Sequence, residues 1–316
     1  MPKKYIIFAP SYIETSGGAI VLHKLCSILN GLGHESYLYP YFETYQSISL
    51  YHSNKKNRFS ILLRYLKAKI TEKFTCYKVN KEFNTPIYDS SKKIGKDFIV
   101  IYPELVACNP LNASNIVRWL LHQPGFHTSA ICYGKNEIYF RFNSAILDFN
   151  FPGSVTSNNF LKIIHYPLEF YNMDNIANKR NGTAYSIRKG KNKKIEHSLK
   201  DSILIDGDTN VQGLSHKEVS KIFKSVETFI SYDTYSAYSI FAALCGCRSI
   251  VIPDKDISKE EWYPDKEDRY GIAYGFDDID AAIATENLVM NRIIHEEKKS
   301  ISSVKNFIKE VDSFFS

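Results

Sequence analysis

The sequence predicts an α/β fold built on parallel sheets, and three observations support this prediction. The apolar run Tyr5–Phe8 is followed by a polar loop, a helical pattern over 20–32 and a second strand over 35–39, which is the order of a βαβ unit. Residues 215–254 repeat the alternation as helix, buried strand, polar turn, small-residue helix and buried strand. The length of 316 residues also suffices for two domains of ~100–200 residues each.

The composition limits the class of protein. No apolar run approaches the ~20 residues of a membrane-spanning helix, and the apolar run before Pro10 is too short for the core of a signal peptide. The 6 cysteines lack the paired spacing of a zinc site, which favours a reducing compartment. We therefore expect a soluble, cytoplasmic protein without zinc.

Residues 54–82 concentrate positive charge in a chain whose net charge is only +6. The cations accompany one apolar stripe, a pattern typical of a segment that binds an anionic membrane surface or another polyanion. The alternative is an ordinary core helix whose lysines extend along buried surface into water. Nucleic acid is disfavoured because no recognised nucleic-acid-binding module surrounds the segment. The cations are Lys55, Lys56, Arg58, Arg64, Lys67, Lys69, Lys73, Lys78 and Lys81.

The first loop ends in Gly17 and Gly18, at the predicted start of the first helix. Glycine lets the backbone approach a ligand, and the unpaired N–H groups and dipole of a helix start favour phosphate or sugar oxygens. A tight turn explains a lone glycine pair equally well. Here the pair stands inside the stretch 16–36, whose predicted helix closes with Gly-His-Glu before the second strand.

The stretch 16–36 and the segment 215–254 both resemble glycosyltransferases of the GT-B fold, above all the retaining family 4 type. The stretch 16–36 is similar to the first loop and helix of these enzymes, and residues 241–247 stand where family 4 has its Glu-Ala-Met-Ala-x-Gly-x helix end. The resemblance implies two Rossmann-like domains that face each other across a cleft. It places an acceptor-binding domain at 1–168, a donor-binding domain at 169–284, and helices that pack back towards the first domain at 285–316.

The resemblance also implies a nucleotide-sugar donor, a glycan or lipid-linked acceptor, and no cofactor. The expected role is the synthesis of a bacterial surface polysaccharide such as lipopolysaccharide or capsule, with contact to the inner face of the membrane through 54–82. Retention without a protein base is favoured, although Asp233, Glu14 or His122 could serve as the base of an inverting variant. Two rivals are a non-catalytic glycan-binding or partner subunit and a nucleotide-sugar epimerase of the same fold.

His122 follows the predicted strand 116–121, which ends before Pro124. This position places the histidine at the carboxyl edge of the sheet, where ligands bind in open α/β sheets. A histidine there is often only a structural hydrogen-bonding group. In family 4 a histidine at a comparable strand end faces the donor sugar, so the resemblance gives His122 a catalytic role.

A cluster of cations follows a predicted strand of the second half. The run 161–168 predicts a strand that leads into the second domain, and the run 183–187 predicts the strand that precedes the cations. The resemblance assigns Arg188 and Lys193 to the donor diphosphate, because fixed cations stabilise the charge that a leaving nucleoside diphosphate develops. The alternative interpretation is a solvated loop whose cations bind no ligand. Other cations that could serve instead are Lys189, Lys191 and Lys194.

The polar turn after the strand 228–231 offers further donor-binding groups, because hydroxyls and backbone N–H groups at a helix start hold phosphates. Family 4 usually carries a Glu-x7-Glu pair here, and its places fall at Asp233, assigned a catalytic role, and at Phe241. The second carboxylate typically binds ribose, so ribose recognition must differ, or the chain belongs to a divergent family. Core packing is the alternative role for Phe241. The binding candidates are Tyr235, Ser236, Tyr238 and Ser239.

An Asp-x-Asp triplet, Asp206 to Asp208, ends the predicted strand 202–209. In GT-A transferases such a triplet holds a divalent metal that clamps the diphosphate through carboxylate oxygens. The triplet recurs at 254–256 and 278–280, and no histidine or third carboxylate supports a metal site. We therefore expect activity that does not depend on a metal.

Overall fold

The computed structural model describes residues 3–14, 16–41, 76–128, 131–144, 146–206 and 213–316. The chain divides into two compact units, one formed by residues 1–165 with 297–316 and the other by residues 166–296. Most of the basic segment 54–82, from 54 to 75, lies outside the described residues, as does Asp208.

The first unit contains a parallel sheet whose described strands follow the order β2-β1-β3-β4-β5-β6. Strand β1 is second in this order, and its Ile6 pairs with Tyr37 of β2 on one side and with Val100 of β3 on the other. The chain leaves β1 towards one edge of the sheet and returns to build the other, so a topological switch point lies between β1 and β3. The strands are β1 (Lys4–Ala9), β2 (Ser36–Pro40), β3 (Phe98–Pro103), β4 (Asn115–Leu120), β5 (Glu137–Arg141) and β6 (Val155–Phe160).

Helix α1 (Gly17–Gly31) covers one face of this sheet. Ser16 caps its start by accepting the N–H of Ala19, and Gly33, at a φ of +86°, reverses the chain after its end. A left-handed backbone of this kind suits glycine, which has no Cβ to clash. The apolar face of the helix packs into the core together with the end of the last helix of the chain. The buried residues of the two helices include Leu22, Leu25, Leu29, Val304, Phe307 and Val311.

The predicted strand over 161–168 is wrong. The sixth strand ends at Phe160, and the following residues form no ladder, although Leu161 and Ile163 are completely buried. The Nε1 of Trp119 donates to the Leu161 carbonyl at 2.9 Å. The apolar character of this run therefore comes from core packing against the first sheet and not from strand pairing.

The second unit contains a parallel sheet whose described strands follow the order β11-β10-β9-β7-β8. Relative to their order in the chain, this is the flavodoxin-like arrangement, with a switch point between β7 and β9. The strands are β7 (Thr183–Ser186), β8 (Ser202–Leu204), β9 (Thr228–Ser231), β10 (Arg248–Val251) and β11 (Ile272–Tyr274). The helices are α2 (His216–Ser225), α3 (Tyr238–Leu244), α4 (Lys259–Trp262), α5 (Ile279–Ile283) and α6 (Val289–Phe314), whose residues from 297 onward belong to the first unit.

Local sequence explains why 215–254 folds as predicted. Ser215 and Glu218 form a capping box, in which each side chain accepts a backbone N–H of the other residue, so α2 starts there. The apolar face of α2 buries Val219 and Phe223 against Phe229 of β9. The predicted α/β class with two Rossmann-like units is therefore confirmed. Within the part of the chain that the structure describes, none of the helices combines the length and apolarity needed to cross a bilayer.

Candidate functional site

The carboxyl ends of β7 and β9 meet at the switch point of the second sheet. Ser186 and Ser231 end these strands, and their hydroxyl oxygens lie 3.3 Å apart. The N–H of Tyr232 donates to the Ser186 carbonyl at 2.9 Å, which holds the two chains together as they leave the sheet. The segments that follow bring Arg188 and Asp233 to the same edge, where doubly wound sheets bind nucleotides.

Arg188 begins a 3-10 turn that is fixed by a carboxylate. The backbone N–H groups of Ile187 and Arg188 donate to Asp206 at 2.8 and 2.7 Å, and burial raises the pKa of this aspartate. The turn packs so closely on Tyr232 that a Cβ at Gly190 would overlap the Tyr232 carbonyl. Asp206 is thus used as a cap for the turn.

The side chain of Arg188 meets a second predicted residue. Its guanidinium lies over the Tyr238 ring, 5.5 Å from the centroid, while the backbone at Arg188 has an unusual φ of +29°. A non-glycine residue with positive φ is strained, and such strain concentrates at functional sites. The structure therefore brings Arg188 and Tyr238 together at the switch point.

Lys193 is held by three groups from the neighbouring strand ends. Its Nζ donates to the Thr234 hydroxyl and the Ile252 carbonyl, each at 2.7 Å, and forms an ion pair with Asp254 at 2.8 Å. Burial opposes the charge on Asp254, but its hydrogen bond with Lys193 still holds the pKa of that carboxyl below its usual value. A diphosphate would have to replace Asp254 to engage this lysine.

The turn after β9 is held largely by its own polar groups. Asp233 is buried, and its carboxylate accepts the N–H of Tyr235 at 3.4 Å, while its carbonyl accepts the Ser231 hydroxyl at 2.7 Å. The Ser236 hydroxyl accepts the N–H of Tyr238 at 3.2 Å. Asp233 therefore shapes the turn that presents the other candidate side chains.

Of the predicted binding residues, Tyr235 has a side chain that a ligand can reach, whereas the side chain of Ser239 is enclosed. Tyr235 is 55% exposed and packs edge-on against Tyr263. The hydroxyl of Ser239 is buried and finds no hydrogen-bond partner among the residues that the structure describes. Most buried hydroxyls have a hydrogen-bond partner, so the Ser239 hydroxyl at the start of α3 is an exception.

Phe241 belongs to the core of the second unit. Its ring is 7% exposed and stacks on Tyr171, whose hydroxyl is hydrogen-bonded to Nδ1 of His216 at 2.7 Å. Position 241 is therefore occupied by an aromatic side chain in a packed cluster, as the core-packing alternative predicts.

In the first unit, Gly17 and Gly18 form the start of α1 at the carboxyl edge of the sheet. A Cβ at Gly17 would meet nothing within 4 Å, and one at Gly18 would make ordinary contact with Leu121 at 3.7 Å. The fold therefore does not require glycine at either position. Gly17 is exposed and Gly18 is partly buried at this helix start, where backbone N–H groups have no partner within the helix.

His122 lies just after β4, and a backbone hydrogen bond fixes its neutral tautomer. The N–H of Gln123 donates to Nδ1 at 2.8 Å, so the neutral ring carries its proton on Nε2. The ring stacks on the exposed Phe126 with 4.1 Å between centroids. His122 can therefore donate a hydrogen bond from Nε2. In this tautomer Nε2 has no free lone pair, which a general base needs.

Glu104 is a candidate that the sequence analysis missed. It follows β3 at the switch point of the first sheet, is 6% exposed, and accepts the N–H of Leu121 at 3.0 Å. Burial raises the pKa of its carboxyl to about 7. Carboxyls with such pKa values cluster at functional sites. A signal was present, because a glutamate directly after a fully apolar strand stands at the ligand-binding edge of a parallel sheet.

Potential metal ligands do not gather in the described parts of either unit. No group of three or more histidine, cysteine, aspartate or glutamate side chains within these parts is arranged to hold an ion. The carboxylate of Asp206 accepts hydrogen bonds from backbone N–H groups, and Asp208 lies outside the described residues.

Comparison with known proteins gives little beyond this geometry. No protein-family model matches the chain, and no curated protein matches it. Among solved structures, the spinosyn forosaminyltransferase SpnP aligns with 98% of this chain and 95% of its own at 11% identity, with a TM-score of 0.31. SsfS6, a glycosyltransferase from Streptomyces sp. SF2575, aligns with 98% and 96% at 11% identity, with a TM-score of 0.30. Similarity this low carries no argument about activity.

Proposed function

We propose that this chain is a glycosyltransferase that moves a sugar from a nucleotide-sugar donor to a glycan or lipid-linked acceptor. The observation that carries the proposal is the meeting of Arg188 with the turn 233–239 at the switch point of the second sheet, the position where doubly wound sheets bind nucleotides. The resemblance of the segments 16–36 and 215–254 to GT-B enzymes supports it.

In this proposal the donor diphosphate lies against the Arg188 side chain. Its guanidinium offers N–H donors in a fork that matches phosphate oxygens. The diphosphate also takes the place of Asp254 at Lys193, and Tyr235 supplies a hydroxyl. Positive charge at this point stabilises the nucleoside diphosphate as it leaves. Asp233 acts by holding the turn in the conformation that the donor needs.

We assign the first unit to sugar and acceptor recognition. His122 donates a hydrogen bond from Nε2 to a sugar hydroxyl, because its Nδ1 already accepts the Gln123 N–H. The N–H groups at Gly17 and Gly18 bind further oxygens of the ligand. Retention of configuration fits this assignment, since it needs no protein base at His122.

The wider role follows the same resemblance. We propose that the product is a bacterial surface polysaccharide, lipopolysaccharide or capsule, made in the cytoplasm without a metal or cofactor. The basic segment 54–82 would hold the enzyme near an anionic membrane surface that carries the acceptor.

One observation favours a second candidate, a non-catalytic subunit that binds glycans or a partner. Phe241 and Tyr171 stack with their ring centroids 4.2 Å apart where family 4 enzymes carry a ribose-binding carboxylate. A chain that lost catalysis could replace this carboxylate by a core residue without penalty.

Ligand binding followed by turnover separates the two candidates. The chain is first screened by thermal shift against UDP, GDP, dTDP, CMP and their sugars, because a ligand at ~100 times its Kd stabilises by about 2.7 kcal/mol. Release of the nucleotide from the sugar that binds is then followed with and without glycan acceptors. Binding with release supports the transferase. Binding without release supports the non-catalytic subunit, and absence of binding contradicts the transferase.

A further inference from the structure

Cys108 and Cys132 are neighbours in the first unit although they are distant in sequence. Cys108 lies in the loop after β3, Cys132 lies shortly before β5, and the N–H of Cys108 donates to the Cys132 carbonyl at 2.5 Å. The two backbones are therefore in direct contact, which is the proximity that a disulfide needs, since it joins residues whose Cα atoms are ~4.4–6.8 Å apart.

The side chains of the two cysteines also interact. Burial raises the pKa of the Cys108 thiol to about 11, and a hydrogen bond with the Cys132 thiol raises it further. Cys108 adopts a φ of +55°, which is unusual for a residue with a side chain. Strained backbone of this kind persists where the surrounding structure holds it in place.

Both thiols are partly exposed, so a reagent from solution can reach them. A surface pocket of about 350 Å³ borders Cys108 and is also lined by Tyr133 and Lys135. Cys26, Cys245 and Cys247 are buried by contrast.

We propose that Cys108 and Cys132 are a redox modification site, which forms a reversible intramolecular disulfide on exposure to a low-molecular-weight disulfide such as glutathione disulfide. This inference does not depend on the function proposed above. It assigns chemistry to two residues that have no part in the candidate functional site.

The reaction proceeds in two exchange steps. The Cys132 thiolate attacks one sulfur of glutathione disulfide and releases a glutathione thiolate, which takes up the proton that Cys132 lost. Cys108 then loses its proton and attacks the Cys132 sulfur of the mixed disulfide, which releases the second glutathione. In total the two cysteines lose two electrons and two protons, and one glutathione disulfide becomes two glutathione thiols. Burial raises the pKa of the Cys108 thiol, so its thiolate is scarce near neutral pH.

The bridge would fasten the loop that carries Glu104. The Tyr133 hydroxyl, next to Cys132, already donates to the Glu104 carbonyl at 2.8 Å. The buried guanidinium of Arg118 binds the Cys108 carbonyl and the Glu137 carboxylate. A disulfide would add a covalent link between the same two segments.

The test exposes the intact chain to glutathione buffers of increasing oxidised fraction, quenches with acid, and alkylates the remaining thiols. The wild type should give a peptide pair joined through Cys108 and Cys132, whose mass is lower by two hydrogens than the sum of the two reduced peptides. Cys76→Ser, which removes an exposed thiol, is the matched control and should form the same bridge. Addition of dithiothreitol should restore all thiols.

Cys108→Ser and Cys132→Ser should each abolish the bridge and leave a mixed glutathione disulfide on the remaining partner. Circular dichroism in reducing buffer checks that both variants fold. If one does not, the other variant and the wild-type peptide map still decide the result. Absence of the joined peptide from the wild type in fully oxidised glutathione would overturn the proposal, and so would a bridge that includes Cys76.

Discussion

The rings of Phe241 and Tyr171 stack almost in parallel, with planes 9° apart and centroids separated by 4.2 Å. His216 approaches the same pair edge-on, so helix α3 is fastened to the core of the second unit by aromatic packing. The stack therefore places position 241 in the core of the second unit.

We expect Phe241→Glu to destabilise the second unit by about 3–5 kcal/mol, because it buries a charge without a partner. Donor affinity should not improve. Phe241→Leu is the matched control and should cost at most about 1.5 kcal/mol, since it keeps most of the apolar volume. Urea denaturation measures the loss. A Glu variant that is as stable as wild type and binds the donor more tightly would show that the position still faces the ligand.

Asp254 competes with the donor for Lys193 in the proposed site. Asp254→Asn should therefore tighten donor binding by up to about fivefold, because a partly exposed ion pair is worth ~0.2–1 kcal/mol. Lys193→Ala should weaken binding. Isothermal titration calorimetry of both variants checks this pair of opposite changes. Weaker binding by Asp254→Asn would mean that Lys193 only braces the strand ends.

Glu104 should make the stability of the first unit depend on pH. Its pKa is raised by burial to about 7, above the ~4.3 of an unfolded glutamate, so the folded chain binds more protons between these values. The stability that this proton provides is complete below pH ~4.3 and is lost as pH rises through 7, about 4 kcal/mol in all. Urea denaturation from pH 4.5 to 8 measures this change.

Glu104→Gln should abolish that fall in stability between pH 4.5 and 7.5, because the amide does not titrate. Glu82→Gln, at an exposed position of the same unit, should leave the fall unchanged. An identical pH dependence in wild type and Glu104→Gln would remove Glu104 as a group that titrates near neutral pH.

Turnover should be unchanged in excess EDTA, because the carboxylate of Asp206 is already engaged by backbone N–H groups and is not available as a metal ligand. Its oxygens accept the N–H groups of Ile187 and Arg188 in the 3-10 turn. The assay is nucleotide release with the donor selected by thermal shift, before and after the chelator. Loss of activity with recovery on addition of Mn²⁺ or Mg²⁺ would assign a metal to Asp206 and Asp208 instead.

The sequence predicted local elements well where a short stretch carried its own signals. The capping box of Ser215 with Glu218 and the apolar run of β9 suffice to define helix, strand and turn in 215–254. The run 161–168 misled because apolar residues buried by core packing look the same in sequence as those of a strand.

The site was harder to predict because its features depend on tertiary contacts. Arg188 and Tyr238 meet only once β7 and β9 are paired, and the partners of Lys193 come from two other strand ends. Similarly, the pKa of Glu104 is set by burial, which its sequence neighbours do not determine. The contact of Cys108 with Cys132 joins two loops that are distant in sequence.

The most direct test of the proposed donor site compares two arginines of the second unit. Arg188 lies at the carboxyl edge of the sheet, whereas Arg248 starts β10 at the opposite edge and pairs with Glu227. With the nucleotide sugar selected by thermal shift, Arg188→Ala should lower affinity and turnover by ~10²–10³, and Arg188→Lys should recover part of the loss. Arg248→Ala should match wild type. Equal affinity and turnover in Arg188→Ala and Arg248→Ala would contradict a donor site at the β7/β9 switch point.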